Sequence, residues 1–417
     1  MRKGIVELMK NVCVLGMGYT GLPTALMLAA YGSDVVGVDI NQALIEHLQE
    51  GKLTFSEEGL AELFNQALSN SIHFQSNCPE AQIYIVAVPT PFNIDTKRID
   101  PSFLVTAINN ILDVYLEGSI IIIESTVSPG TIDRHIRPAI EKRGIIIGKH
   151  VHLSHAPERI IPGSTIRELR ENARVIGADT QEVAEAVREL YASFCSGDMV
   201  VTDIKTAEMA KIVENTYRDI NIAFANELAK ICRHDDLDVY KIIKIANMHP
   251  RVDILQPGPG VGGHCISVDP WFLVGDHPRL SLLIHEARKI NDSMPEFVLE
   301  RVYDISRENG DLDISRIGFY GLTYKENVDD IRESPSLQIV ESMKKHLCAQ
   351  HIKIYDPFIK ANIVLNQYHD LDTFLADVDM VVILVAHNEI KENMGKLKDK
   401  IILDTRNCCD IDGVYTL

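Results

Sequence analysis

The sequence predicts an α/β protein with two doubly wound parallel sheets joined by a central helical region. Short apolar runs alternate with amphipathic stretches over residues 1–204, the pattern of strands and helices in a parallel sheet. Strand-like runs become scarce over residues 205–310, and the alternation returns over residues 311–417. We therefore expect three domains with these bounds, the first and third of which hold the sheets.

The first domain opens with a strand–helix–strand pattern. An apolar run at 12–16, a stretch of helical character at 20–31 and a β-branched run at 34–39 have the spacing of a βαβ unit. The next strands are predicted by three further apolar runs, at 83–88, 119–124 and 151–154.

A glycine motif separates the first strand from the first helix. Its G-x-G-x-x-G pattern consists of Gly16, Gly18 and Gly21, with Tyr19 and Thr20 before the last glycine. These glycines would permit a tight turn, close approach of a pyrophosphate and close helix–strand packing, and the helix N-terminus attracts the anion. Asp39 follows Gly21 by 18 residues, near the ~20 expected for an acid that binds a ribose and repels a 2′-phosphate. The motif predicts a Rossmann-like domain that binds NAD; the alternative is an ordinary turn and a solvated aspartate.

Two proline-containing loops directly follow later apolar runs. They are Val-Pro-Thr-Pro at 88–91 and Ser-Thr-Val-Ser-Pro-Gly at 125–130. Because ligands bind beyond the carboxyl ends of strands in doubly wound sheets, Thr90 and Thr126 are candidates for the cofactor edge. The alternative is that both loops are simply proline-stiffened turns.

The rest of the chain is helical first and α/β afterwards. Long helices are predicted at 205–233 and 281–307, with a loop at 250–270 that contains four glycines and four prolines. Strands of the third domain are predicted at 317–322, 352–355, 380–385 and 401–403.

Three residues of the central region are candidates for chemistry. Cys265 follows the glycines of the loop, where a thiol is more accessible as a nucleophile than as a core residue. Lys211 and Asn215 lie four apart on one helix face and could bind developing oxyanion charge. The alternatives are an inert thiol, as we interpret the other seven cysteines, and a solvated helix face.

Composition excludes several classes of protein. The 417 residues carry 41 Lys and Arg against 59 Asp and Glu, a formal charge of −18, which argues against a nucleic-acid partner. The sequence has no C-x-x-C pair, no secretory signal and no long apolar run. We expect a reduced cytoplasmic protein with no bound metal and no membrane partner.

Together the motifs resemble those of the nucleotide-sugar dehydrogenases, the UDP-glucose/UDP-N-acetylhexosamine 6-dehydrogenase family. The resemblance covers nearly the whole chain. It rests on the glycine motif, the loops at 88–91 and 125–131, APER at 156–159, EMAKIVENTYR at 208–218, GPGVGGHC at 258–265 and GLTYKENVDDIRES at 321–334. It implies a four-electron oxidation of a sugar C6 hydroxyl to a carboxylate with two NAD⁺, in an oligomer that is a dimer or larger.

The resemblance also implies roles for particular residues. Cys265 matches the nucleophile that forms a thiohemiacetal and then a thioester, and Lys211 and Asn215 match the groups that stabilise the oxyanion. Glu158 matches the acid that activates water, with Thr126 positioning the water, and Asp269 matches an acid that tunes proton transfer. The remaining matches are substrate contacts at Glu158, Arg159, Lys211, Asn215, Arg251, Gly260, Gly262 and Lys325, and a cofactor contact at Arg332.

The substrate is expected to be a UDP-N-acetylhexosamine. Val268 and Pro162 stand where UDP-glucose enzymes of the family usually carry Lys and Glu. The segments 249–252 and 260–272 resemble the branch that oxidises UDP-N-acetyl-D-mannosamine, with UDP-N-acetyl-D-glucosamine oxidation as the alternative. A one-step β-hydroxyacid dehydrogenase and an NAD-sensing binding module are the other functions considered.

Overall fold

The computed structural model describes residues 11–55, 57–346 and 352–417, apart from the side chains of residues 345 and 346. The chain divides into two compact units between Glu214 and Asn215. The predictions for the first ten residues and the interpretation of Cys348 fall outside the described residues.

An eight-stranded sheet forms the centre of the first unit. Its strands are β1 (Asn11–Leu15), β2 (Asp34–Val38), β3 (Ile72–Gln75), β4 (Ile83–Val86), β5 (Ser119–Ile123), β6 (Val151–His155), β7 (Arg174–Ala178) and β8 (Met199–Thr202). Their spatial order is β3-β2-β1-β4-β5-β6-β7-β8, so the first six follow the order of doubly wound dinucleotide-binding sheets.

The last two strands run against the other six. β6 and β7 pair antiparallel, and β7 and β8 pair parallel. The prediction of an entirely parallel sheet is wrong at this edge. An antiparallel neighbour needs no crossover to the other end of the sheet, so the connection at 156–173 can lead the chain back along β6 even though it contains a helix.

Helices cover this sheet and begin the second unit. They are α1 (Gly21–Ala30), α2 (Gln42–Gln49), α3 (Leu60–Ser69), α4 (Ser102–Leu112), a π-helical turn (Ile132–Ile136) that continues into α5 (Arg137–Glu141), α6 (Thr165–Glu171), α7 (Gln181–Ala192) and α8 (Ile204–His234). All ten residues of α1 are buried, because this helix packs against both α3 and β2. The buried α1 thus fixes the glycine motif at the end of β1.

The second unit contains a six-stranded parallel sheet with the same winding. Its strands are β9 (Ile317–Tyr320), β10 (Lys353–Tyr355), β11 (Gln367–Tyr368), β12 (Met380–Ile383), β13 (Ile401–Asp404) and β14 (Tyr415–Thr416). The spatial order β11-β10-β9-β12-β13-β14 repeats the pattern of the first sheet. The prediction of two doubly wound, Rossmann-like sheets is confirmed.

The helices of the second unit pack on this sheet and on one another. They are α9 (Val239–Ala246), α10 (Asp269–Asp276), α11 (Leu282–Asp292), α12 (Met294–Glu308), α13 (Pro335–His346), α14 (Leu371–Ala376) and α15 (Asn388–Glu392), with 3₁₀ turns at Ile314–Arg316 and Met394–Leu397. One apolar core joins Ala229 of α8, Ile243 of α9, Val298 of α12 and Phe319 of β9.

Two predicted bounds in this region are wrong. The helix predicted at 281–307 is broken at Ser293, since Pro295 lies in the first turn of α12 and cannot donate a backbone hydrogen bond. The loop predicted at 250–270 ends earlier, because Asp269 and Pro270 begin α10. Proline suits the first turn of a helix, whose N–H groups have no partner within the helix.

Candidate active site

The glycine motif has the geometry of a dinucleotide loop. Gly16 has φ +96°, and a Cβ there would lie 2.5 Å from the Ala87 carbonyl oxygen. A Cβ at Gly21 would lie 1.9 Å from the Gly16 carbonyl oxygen, so the third glycine is required for helix–strand packing. A Cβ at Gly18 would meet nothing within 4 Å, which leaves its backbone open to a ligand. The Thr20 side chain makes no capping hydrogen bond to α1.

Asp39 is held against this loop. Its carboxylate accepts a 2.8 Å hydrogen bond from the Met17 N–H and a 2.9 Å bond from the Asn41 N–H. The acid is half-buried at the end of β2. An open glycine backbone at a helix N-terminus, with an acid one strand away, fits the pyrophosphate and ribose of NAD.

The two predicted loops meet at the ends of neighbouring strands. Thr90 Oγ1 donates a 2.7 Å hydrogen bond to the Thr126 carbonyl, and Ser125 Oγ donates one of 2.7 Å to the Val88 carbonyl. Thr90 is buried, whereas Thr126 is half-buried and lies at the exit of β5. Both threonines therefore lie at the carboxyl edge, where the sequence predicts them.

Glu208 anchors the second of these loops, a role that the sequence did not reveal. Its carboxylate accepts hydrogen bonds from the N–H groups of Gly130 and of Ile132, the latter at 3.0 Å. Burial raises the pKa of Glu208 to about 7, although the two N–H groups oppose that shift. Its position three residues before Lys211 on the same helix was the available signal.

Glu158 lies in a buried ion pair after β6. One carboxylate oxygen accepts a 2.7 Å hydrogen bond from the Arg159 N–H, and the other accepts one of 2.7 Å from Arg174 Nη2. The Arg159 guanidinium is bound to Glu214, with Nε 2.9 Å from Oε2. Arg174 was not predicted, because one arginine in the strand Arg-Val-Ile-Gly-Ala gives no sign of its burial.

The helix α8 presents Lys211 and Asn215 to the protein interior. Each is 7% exposed, so the alternative of a solvated helix face is wrong for both. Lys211 belongs to the first unit, and Asn215 is the first residue of the second. Within the second unit, Asn215 Nδ2 donates a 2.6 Å hydrogen bond to Asp269 Oδ2.

Cys265 lies one turn before α10 on the exposed part of the loop. Cys265 is exposed to solvent, and its carbonyl accepts a 2.8 Å hydrogen bond from the Asp269 N–H. Asp269 is 3% exposed and is therefore fixed by packing as well as by Asn215. The accessible thiol and the buried acid thus come from one backbone turn.

The glycines before Cys265 make close contact with the segment 324–335. A Cβ at Gly262 would lie 2.7 Å from the Glu333 carbonyl oxygen, and one at Gly260 would lie 3.0 Å from Pro335. The Gly263 N–H donates a 2.9 Å hydrogen bond to the Arg332 carbonyl. These glycines therefore permit close packing of the loop against another segment of the same unit.

The same segment carries Lys325 and Arg332. Lys325 is half-buried, and its carbonyl accepts a 2.8 Å hydrogen bond from Thr323 Oγ1. The Arg332 guanidinium forms an ion pair with buried Asp330, with Nη2 2.6 Å from Oδ2. Arg251, by contrast, is exposed on the loop after α9.

A buried pair fixes the start of this segment. Asp356 Oδ2 accepts a 2.6 Å hydrogen bond from the Leu322 N–H and lies 3.2 Å from His387 Nε2. His387 Nδ1 accepts a 2.9 Å hydrogen bond from the Asn327 N–H, so the ring hydrogen is on Nε2, which donates to Asp356. Burial opposes ionisation of Asp356, but the bonds from His387 and the backbone outweigh it and hold its pKa below the usual range.

A cavity of about 490 Å³ opens in the second unit. Arg406 lies in its wall, donates from Nε a 2.8 Å hydrogen bond to the Leu384 carbonyl, and extends toward Gly258 of the glycine loop. The other lining residues are Tyr240, Lys244, Asn247, Met248, Gln256 and Asn407. Two cations in this wall suit an anionic ligand, and no motif in the sequence indicated Arg406.

Among the described residues, metal-ligating atoms come within 4.8 Å of one another at Asp404, Cys408 and Cys409. The Asp404 carboxylate there already accepts hydrogen bonds from the N–H groups of Cys408, at 2.6 Å, and Cys409, at 2.7 Å. Within residues 11–55, 57–346 and 352–417, no helix is long and apolar enough to cross a bilayer.

Models of one protein family match most of this chain. Models of the UDP-glucose/GDP-mannose dehydrogenase family match its NAD binding domain at residues 10–195, its central domain at 205–293 and its UDP binding domain at 318–411. These matches together include most strands of both sheets and the helices α8 to α11.

Individual relatives are similar over nearly their full lengths. The UDP-N-acetyl-D-mannosamine dehydrogenase of Methanocaldococcus jannaschii is 43% identical, over 95% of this chain and 92% of the relative. The NDP-N-acetyl-D-galactosaminuronic acid dehydrogenase of Ralstonia nicotianae is 39% identical, over 95% of this chain and 96% of the relative. A solved structure of the UDP-N-acetyl-mannosamine dehydrogenase of Staphylococcus aureus has 41% identity and a TM-score of 0.87, with 97% of each chain covered. The resemblance of the motifs is confirmed, and the chain belongs to the UDP-glucose/GDP-mannose dehydrogenase family of NAD-dependent nucleotide-sugar dehydrogenases.

Proposed function

We propose that this enzyme oxidises the C6 hydroxyl of UDP-N-acetyl-D-mannosamine to the carboxylate. The proposal rests chiefly on full-length similarity at about 40% identity to dehydrogenases of that sugar nucleotide. Overall, one alcohol, one water and two NAD⁺ give one carboxylate, two NADH and three protons. NAD supplies the hydride acceptor in each of the two oxidations.

Cys265 and Asn215 of the second unit, together with Lys211 of the first, would carry the covalent steps. After the first oxidation, the Cys265 thiolate adds to the aldehyde carbon and forms a thiohemiacetal, which again has a hydride to lose. Loss of that hydride gives a thioester. Lys211 and Asn215 would stabilise the oxyanions, and the Asn215–Asp269 hydrogen bond fixes the amide for that task.

Hydrolysis of the thioester would use residues of the first unit. Glu158 takes a proton from a water molecule held with the help of Thr126, and the hydroxide adds to the thioester carbon. The carbon–sulfur bond then breaks and restores the Cys265 thiolate. The Arg174 ion pair keeps Glu158 in one orientation.

The remaining contacts belong to binding. We assign the sugar nucleotide to the glycine loop at Gly260 and Gly262, to Lys325 and to Arg159, and we assign Arg332 to the cofactor. We further propose that Arg251 reaches the substrate of a neighbouring protomer in a homodimer or larger oligomer. The enzyme is proposed to be cytoplasmic, with domains at 1–204, 205–310 and 311–417.

The decisive experiment is NADH stoichiometry with purified UDP-sugars. We expect two NADH for each UDP-N-acetyl-D-mannosamine and less turnover with its N-acetylglucosamine and N-acetylgalactosamine counterparts. One NADH per sugar would refute the two-step mechanism, and exclusive turnover of a counterpart would refute the substrate. Cys265→Ala should give no covalent adduct by intact mass, whereas Cys232→Ala, a change at a buried thiol, is the matched control.

A further inference from the structure

Arg174 lies between two buried carboxylates in the first unit. Its Nη2 is 2.7 Å from Glu158 Oε2, and its Nη1 is 3.7 Å from Glu124 Oε1. The guanidinium also lies over the Tyr191 ring, 4.3 Å from the centroid. Arg174 is 3% exposed, Glu124 1% and Tyr191 0%, so bulk water does not compensate these charges.

The cluster has one cation for two acids, and Arg174 lies closer to Glu158 than to Glu124. Arg174 donates a hydrogen bond to Glu158, whereas the buried atoms Nη1 and Glu124 Oε2 have no hydrogen-bond partner among the described residues. Glu124 Oε1 accepts a 3.1 Å hydrogen bond from Tyr191 Oη. Two ionised acids in this space would repel each other, so the arrangement favours a proton on Glu124.

The groups around Glu124 agree with that assignment. Burial comes first, and the charge of Glu158 second, in raising the pKa of Glu124 to about 8. Arg174 on β7 opposes the shift, and so do the hydroxyls of Thr24 on α1 and Tyr191 on α7. The pKa of Tyr191 is itself well above its usual value because of burial and Glu124, so Tyr191 remains a donor.

We propose that Glu124 and Arg174 are positioning residues for Glu158, with protonated Glu124 leaving the guanidinium to Glu158 alone. The inference rests on the proposed role of Glu158 in thioester hydrolysis. When Glu124 ionises, Arg174 has a second charged acceptor 3.7 Å from Nη1, and its hold on Glu158 weakens. Hydrolysis therefore slows above the pKa of Glu124, by about tenfold one pH unit beyond it.

The test compares Glu124→Gln with the wild-type enzyme. Gln keeps the shape and an oxygen for Tyr191 but cannot ionise, so the alkaline loss of kcat should disappear between pH 7 and pH 9. Glu117→Gln, at an exposed position before β5, should retain that loss. Profiles of Glu124→Gln and wild type that coincide would overturn the proposal.

Two further measurements separate positioning from stability and from substrate identity. Arg174→Lys keeps the positive charge but loses the planar guanidinium, whose Nη1 faces Glu124 and whose Nη2 faces Glu158. It should give a burst of two NADH per active site followed by turnover slowed about tenfold, with the thioester trapped by quenching and intact mass. Slow turnover of Arg174→Lys without an initial burst of NADH would overturn the proposal.

Infrared titration follows the C=O stretch of protonated carboxyls without any substrate. Because Glu208 has its own protonated-carboxyl signal near pH 7, the titration is made in a Glu208→Gln background. The signal near pH 8 should be present there, missing when Glu124→Gln is added and retained when Glu117→Gln is added. Persistence of the signal in Glu124→Gln would refute a protonated Glu124. Absence of turnover with all UDP-sugars, with the infrared signal intact, would instead refute the proposed function while leaving the proton on Glu124 established.

Discussion

Glu208→Gln tests how α8 holds the loop after β5. Glu208 is 1% exposed and accepts backbone hydrogen bonds from Gly130 and Ile132. A glutamine oxygen can replace one acceptor, whereas its amide faces the second N–H. That mismatch alone should lower the free energy of unfolding by about 1–3 kcal/mol. This contribution does not vary with pH and adds to the protonation effect that follows.

The pH dependence of the free energy of unfolding tests the protonation of Glu208 more directly than the loss at a single pH. Because burial raises the folded-state pKa of Glu208 from 4.5 to about 7, the folded state holds this proton more tightly than the unfolded chain. The contribution of Glu208 to stability is therefore complete below pH 4.5 and is lost as the pH rises through 7. From pH 5 to pH 8 the wild-type protein should lose about 2.5 kcal/mol through this group, and the glutamine variant should not.

Urea unfolding followed by far-UV circular dichroism at pH 5, 6, 7 and 8 measures the effect. The difference between Glu208→Gln and wild type should narrow or change sign by about 2.5 kcal/mol across that range. Glu189→Gln, an exposed change on α7, should show no such trend. A difference that is the same at pH 5 and pH 8 would refute a buried carboxyl that gains its proton on folding.

Four other changes have outcomes set by the geometry. Gly21→Ala, whose Cβ would lie 1.9 Å from a backbone oxygen, should cost about 1–3 kcal/mol or more and abolish NAD⁺ binding by calorimetry. Gly18→Ala should leave the fold intact and weaken NAD⁺ binding only; equal affinities in both variants would contradict the assignment. Asn215→Ala removes the 2.6 Å donor to Asp269 and should lower kcat about 10–100-fold; wild-type kcat would exclude Asn215 from oxyanion stabilisation. Asp356→Ala should raise KM for the sugar nucleotide about tenfold with little change in kcat, because hydrogen bonds that order the segment after β9 are lost; an unchanged KM would refute that support.

The sequence predicts the fold best where burial is continuous. Residues 120–123 of the run predicted at 119–124 are apolar on both faces, as a covered parallel strand requires, and β5 lies there. β3 has the sequence Ile-His-Phe-Gln and β7 begins with arginine, so neither gives an apolar run. These strands were missed because their stability depends on neighbours distant in the sequence.

The residues of the candidate site show the same difference between local features, which the sequence predicts, and contacts between distant segments, which it does not. Motif spacing placed Asp39, Thr90 and Thr126 at the carboxyl edge, since a strand and the loop after it are local features. The burial of Lys211 and Asn215 could not be predicted, because a helical repeat shows that two residues share a face and not what covers it. Arg174 was invisible for a related reason: its two acids come from other strands and loops, and only the folded chain brings them together.

The packing of the glycine loop has a consequence for protein engineering. Gly262 and Gly263 fit closely against Tyr324 and Glu333, so the loop that ends in Cys265, the proposed nucleophile, belongs with the half of the chain that contains the UDP binding domain. A chimaera that takes its dinucleotide domain from another dehydrogenase could therefore keep the thiol in its native surroundings. Its crossover point belongs after Glu208, not at the start of α8, because the first turns of that helix fasten the loop after β5 and should travel with the donor domain.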